Sequence, residues 1–229
     1  MRLYELKNKR VLKFKNNAAE FIKQFSTNVA EVFHGAFIDV RGKIVVLFQQ
    51  KKVSNDEIWV VIEKQFFERL RKHLEKYLAL SDTVLEIQDA KVYFDIEGDY
   101  PVSVDETAIP EDKGQWIVSR ETRVSSVTDE EFTLFRVKNN LPVQGIDFDE
   151  EMLLNVADEK FVSYTKGCYL GQEIIARVHS RLRPPKKLVV MDEDKVDAGS
   201  LTSPVKDPET GKIIGFIFVN MLQSFPEGK

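Results

Sequence analysis

AFIDVRGKIVVLFQQKKV, residues 36–53, holds two runs rich in β-branched and aromatic residues with Arg41-Gly42 between them. Glycine tolerates the left-handed backbone of a tight reversal, so the stretch predicts a hairpin. Upstream, LYEL and RVLKFK have strand character, and NAAEFIKQFSTNV places Ala19, Phe21, Ile22 and Phe25 on one helical face after an Asn-Asn start. Downstream, EIWVVI is a further strand. KQFFERLRKHLEKYLAL repeats apolar residues at Phe67, Leu70, Leu74, Tyr77 and Leu78, an amphipathic helix, and TVLEI and KVYFDI are strands. The succession reads β, α, β, β, α, β, the ferredoxin-like order of an α+β fold with helices against one antiparallel sheet.

A turn-rich segment, EGDYPVSVDETAIPEDKG (97–114), marks a seam after this first unit. Beyond it GQWIVSRETRV is strand-like. TDEEFTLFRVKNN opens on a Thr128 cap with acidic residues in its first turn, and Pro142 is expected to end that helix. From Lys186 the pattern shortens to KKLVVM, SLTSPV and KIIGFIFV, a small β module. The expected organisation is a ferredoxin-like unit over 1–97, a second α+β unit over 98–187 sharing its core, and a β module over 188–229.

Composition narrows the function. The 229 residues are 43% hydrophobic and 31% charged, as in a soluble globular protein. With 33 basic against 37 acidic residues the net charge is −4, so no polyanion-binding surface and no nucleic-acid partner are expected, although a local basic patch stays open. The first residues, MRLYELKNKRVLKFKNN, are charged every few positions and contain no apolar run of signal-peptide or membrane-span length. Cytoplasm, without a membrane partner, is the expected location. A single cysteine and the scattered His34, His73 and His179 have no zinc-ligand spacing, so no metal site is expected.

The chemistry concentrates in SYTKGCYLGQEIIARVHSR, residues 163–181. Gly167 and Gly171 permit backbone angles closed to other residues, and the turn feeds a helix whose free N-terminal amides favour negative charge. A thiol there, beside Lys166 and with Arg177 near, has reason to ionise, which makes Cys168 a candidate functional residue. The competing reading is equally concrete: a lone cysteine is commonly a small buried hydrophobe. His179 is either a base for the thiol or a surface histidine near a helix end. Gln172-Glu173 at a helix start is also ordinary capping.

KGCYLGQE resembles the K-G-C-[FY]-x-G-Q-E signature of the YgfZ-type folate-binding proteins, relatives of the glycine-cleavage aminomethyltransferases. FIKQFSTNV is similar to that family's F-L-Q-G-Q-x-T-N-D segment and DVRGKIV to its P-K-G-R-I turn. FRVKNNLPVQGIDFDEEMLLNVA is similar to R-I-E-A-G-I-P-x-x-G-x-D-F, and ARVHSRLRPPKKLV continues the likeness. It covers about residues 10–220.

The resemblance implies ferredoxin-like units around a central cavity that binds tetrahydrofolate. It also implies a role in building or repairing iron–sulfur clusters in client proteins. Carried over by position, Cys168 is the signature thiol, and Asn28, Lys166, Tyr169, Gln172, Glu173 and Arg177 are the expected cofactor-binding residues. A pterin edge suits carboxylates and amides, and a glutamate tail suits cations or helix amides. Three positions depart from the family. Lys138 stands where R-x-E has its carboxylate, reversing a charge that would hold the pterin amino group; Val29 follows Thr27-Asn28 in place of Asp; and the closing β module is brief. The same fold also admits an aminomethyltransferase or a non-catalytic protein-binding scaffold.

Overall fold

A computed structural model describes residues 1–157, 159–181 and 184–221. The expected C-terminal module is therefore seen to Met221, and its residues 222–229 lie outside the described residues, as do Leu182 and Arg183 of the last matching stretch.

In chain order the elements are β1 (Leu3–Glu5), β2 (Lys9–Lys15), α1 (Ala18–Phe25), β3 (His34–Ile38), β4 (Ile44–Lys52), β5 (Glu57–Glu63), α2 (Phe67–Ala79), β6 (Val84–Gln88) and β7 (Lys91–Asp95). There follow β8 (Thr107–Pro110), β9 (Gln115–Ser119), α3 (Asp129–Lys138), α4 (Leu153–Val156), α5 (Gln172–Arg181), β10 (Lys186–Asp192), β11 (Thr202–Lys206) and β12 (Ile213–Asn220). Three antiparallel sheets result, in the orders β3-β4-β5-β2-β6, β1-β7-β9-β8 and β10-β12-β11.

The hairpin stands where its glycine placed it. Gly42 has φ 75°, and the Asp39 carboxylate accepts from the amides of Arg41 and Lys43 to close the turn. Three strands rather than two lie between α1 and α2, because 36–53 supplies both arms of the hairpin and β5 pairs with its second arm. The segment 1–97 also serves two sheets, since β1 and β7 pair with each other and β7 with β9 across the seam. The seam itself contributes β8, paired to β9.

The five-stranded sheet is covered on both faces. On one, Phe14, Phe37 and Phe48 pack against Phe21 and Ile22 of α1 and Leu70 and Leu74 of α2. Each such burial stabilises the fold by about 2–3 kcal/mol. On the other, Val11 and Val61 meet Phe94, Trp116 and Val118 of the four-stranded sheet, with Phe132 of α3. A third cluster joins Ile38 and Ile44 to α4, α5 and the three-stranded sheet.

Helix α3 opens as expected, with Thr128 and Glu131 forming a reciprocal capping box. Its end differs. Asn140, at φ 53°, sends its amide to Val137 O while Leu141 N reaches Arg136 O, a Schellman turn with asparagine in the usual glycine place. Asn140 therefore ends α3 two residues ahead of Pro142. The turn delivers Asn140 and Leu141 to the wall of an internal chamber.

Candidate functional site

The chamber lies between the five-stranded sheet, the four-stranded sheet and α3. It holds about 80 Å3. Phe94, Trp116, Phe132 and Phe161 give it aromatic walls, with the Trp116 ring edge-on to Phe94 at 5.3 Å. An outer groove of about 480 Å3 shares Leu6, Lys9, Glu63, Phe132, Arg136 and Val143 with it, so the two spaces meet at one wall.

Charges in the chamber wall come in pairs. Glu111 has the most partners: Oε2 lies 3.0 Å from His34 Nε2 and 3.3 Å from Trp116 Nε1, and Oε1 lies 2.5 Å from Lys160 Nζ. Burial opposes its ionisation, but the His34 hydrogen bond and charge, together with Lys160, hold its carboxyl down at about 2. An ionised carboxylate only accepts, so His34 Nε2 carries the hydrogen. Lys9 Nζ meets Glu63 at 2.5 Å and sits 4.7 Å above the Trp116 ring. Arg136 Nη1 donates to Asp147 at 2.6 Å, and Ser203 of β11 hydrogen-bonds to both partners.

Among the described residues lining the chamber are none of Asn28, Lys166, Tyr169, Gln172, Glu173 and Arg177. Asn28 lies behind it, 3% exposed, its Nδ2 donating to the carbonyls of His34 at 3.0 Å and Lys160 at 2.8 Å. Its carboxamide is spent on main chain, and it fixes the backbone of the two residues that clasp Glu111. Thr27 continues this tie, donating to Phe161 O and accepting from Ser163 N through its own carbonyl.

The octet forms a loop beyond that tie. Gly171, at φ 82°, lies so close to the hairpin that a Cβ would fall 2.4 Å from Asp39 O, whereas Gly167, at φ 98°, has nothing within 4 Å. Between them Tyr169 is buried and Cys168 is exposed. Lys166 reaches the carbonyl of Lys23 and lies 4.4 Å over the Tyr169 ring; burial, reinforced by Lys23, brings its ammonium down to about 8. Gln172 is half-buried at the start of α5, and Glu173 and Arg177 are exposed on it. His179 is exposed and stacks on Tyr164 at 3.9 Å. The structure thus brings Lys166, Cys168, Tyr169, Gln172 and Glu173 together in one loop and helix start, and sets Asn28 apart.

Lys138 points away from the chamber, 2.8 Å from both Asp207 and Glu209. These two raise its pKa. Lys138 thereby fastens α3 to the three-stranded sheet. Of the chamber's polar residues, Lys9, Gln49, Glu63, Glu111 and Lys160 come from five separate segments and have no local signature. The one available signal is Gln49, a polar residue in a strand that is otherwise apolar as far as Phe48.

Three antiparallel sheets, with helices on the outer face of the largest and a chamber between two of them, define a mixed α+β architecture. It is that of glycine cleavage system aminomethyltransferase T from Bartonella henselae: the structures match with a TM-score of 0.76 over 97% of this chain and 79% of that one, at 11% identity. No protein-family model matches the chain. An uncharacterised protein of Haemophilus influenzae is 25% identical over 178 residues, which is 69% of this chain. The match spans 61% of that relative's length. Among the described residues no helix is long and apolar enough to cross a membrane.

Proposed function

We propose that this chain is a cytoplasmic tetrahydrofolate-binding protein of the YgfZ type that assists assembly or repair of iron–sulfur clusters in client proteins. On this reading the five- and four-stranded sheets are two ferredoxin-like units enclosing the ligand cavity. The observation that carries it is the sole cysteine, exposed inside KGCYLGQE, on a loop tied through Thr27 and Asn28 to the chamber wall.

A folate fits the residues present if it uses both spaces. The chamber alone, at about 80 Å3, is smaller than the roughly 300–1,000 Å3 of ordinary ligand sites, whereas the groove reaches that range. Flat aromatic walls suit a pterin, and Lys7, exposed at the groove, suits the carboxylates of a glutamate tail, Lys9 being already held by Glu63. The bound folate would supply a one-carbon carrier. The octet supplies the thiol, with Gln172, Glu173 and Arg177 beside it for client or folate contact.

Titrating the full-length protein anaerobically with tetrahydrofolate tests this, because Trp116 lines the chamber and reports occupancy by fluorescence. We expect saturable one-to-one binding, and lowered activity of cluster-dependent enzymes in cells lacking the protein. No binding at millimolar folate, with cluster enzymes unaffected, overturns the reading. The fold likeness also favours an aminomethyltransferase, which release of a one-carbon unit from a lipoyl-bound donor to tetrahydrofolate would reveal.

A further inference from the structure

We propose that Gln49 is the residue that reads the ligand in the chamber, and that it recognises a neutral flat heterocycle presenting a hydrogen-bond donor beside an acceptor, as a lactam edge does. The inference rests on the folate reading above and specifies how the head group is held.

Consecutive residues of a strand face opposite sides of the sheet, so Gln49 and Gln50 of β4 have opposite fates. Gln50 is fully buried and its Nε2 donates to Val29 O and Val32 O at 2.8 Å. Gln49 faces the chamber, lies between His34 and Val61 on the neighbouring strands, and is only 9% exposed. Its carboxamide nevertheless has no hydrogen-bond partner among the described residues, although it offers two donors and a two-lone-pair acceptor. Among the described residues the side-chain atoms sealed without a partner lie elsewhere, Gln50 Oε1 among them, so the Gln49 amide stands open to the chamber and free to bond what enters it.

The surrounding charges indicate what the partner is. Lys9 is answered by Glu63, Glu111 by His34 and Lys160, and Arg136 by Asp147. A charged head group would have to break one of these enclosed pairs. A neutral one needs only the open amide and the faces of Trp116 and Phe161, and the amide matches an edge with one donor and one acceptor.

The test uses the full-length protein with two probes, tetrahydrofolate and the bare head 6-methyltetrahydropterin, against Gln49→Met and Gln49→Asn. Methionine keeps the length and removes the hydrogen bonds; asparagine keeps the amide on a shorter arm. We expect both variants to bind both probes at least tenfold more weakly. Gln49→Met should melt close to the parent temperature, since the amide it replaces faces the chamber and holds no hydrogen bond within the fold. Binding by Gln49→Met within twofold of the parent overturns the assignment while leaving the folate reading intact. A lowered melting temperature of Gln49→Met with unchanged Gln49→Asn binding also overturns it, because Gln49 would then be structural. A parent that binds neither probe brings down the folate reading and this inference together.

Discussion

In the chamber Glu111 touches His34, Trp116 and Lys160, Lys9 covers Glu63, and Arg136 covers Asp147, and the His34, Lys160 and Lys9 contacts join segments far apart in the chain. In the octet loop the thiol is exposed, one glycine faces open space, and the fixed points are Tyr169 and the close approach of Gly171 to the hairpin. The chamber is preorganised by buried electrostatics and the loop by backbone shape. Substitutions that remove charge should therefore damage the first, and substitutions that add a Cβ the second.

The largest effect is expected at Glu111. Removing one partner of an enclosed ion pair leaves the others uncompensated, and Glu111→Ala should cost about 3 kcal/mol in urea unfolding at pH 7. The acid profile makes the same point. A carboxyl whose folded pKa drops from 4.5 to about 2 contributes stability that is complete above about 4.5 and is lost as pH falls through about 2. The parent should lose stability over that window, and the variant should lose correspondingly less. A Glu111→Ala protein as stable as the parent, with an unchanged acid limb, would remove the electrostatic half of the contrast.

The two glycines give the next effect. An alanine at 171 meets Asp39 O at 2.4 Å and Ile38 Cδ1 at 2.9 Å with φ at 82°, and should cost about 2–3 kcal/mol. At 167 only the backbone term applies, about 1 kcal/mol. Thermal unfolding of the pair measures the difference. Equal losses would mean that the hairpin does not anchor the loop.

Much of the chain's local structure was legible because it is locally coded. The 3.6-residue repeat of α2, the Thr128–Glu131 box and the Arg41-Gly42 turn each signal their own element. What was not legible depends on distant pairing. TAIP within the seam becomes β8 only because Trp116 and Ile117 of β9 lie beside it, and β1 and β7 leave the first sheet to pair with each other. Asn140 ended α3 ahead of Pro142 because asparagine adopts the left-handed turn. The site divides in the same way. The octet announces itself, whereas Glu111 and Lys160 look like solvated charges until the fold sets them 2.5 Å apart. Lys138 carries the opposite lesson: its charge reversal is visible in sequence, but its partners Asp207 and Glu209 are not.

The smallest structural effect and the sharpest functional one are expected together at Cys168. The side chain is exposed and flanked by Gly167, beside which a Cβ would meet nothing, so Cys168→Ser replaces a sulfur that supports no packing. Surface substitutions of this kind stay within about 0.5 kcal/mol of the parent. Folate binding should also be unchanged, because Cys168 is absent from the residues lining the chamber. On the proposed function the hydroxyl lacks the soft-sulfur chemistry that the thiol would supply, so cells carrying the variant should show the same loss of cluster-enzyme activity as cells lacking the protein. An alkylating reagent should reach the thiol in the folded parent at the rate of an unhindered cysteine. If the serine variant supports cluster enzymes as well as the parent, the thiol has no part in function. The octet loop would then be a shaped surface, and the functional assignment would rest on the chamber alone.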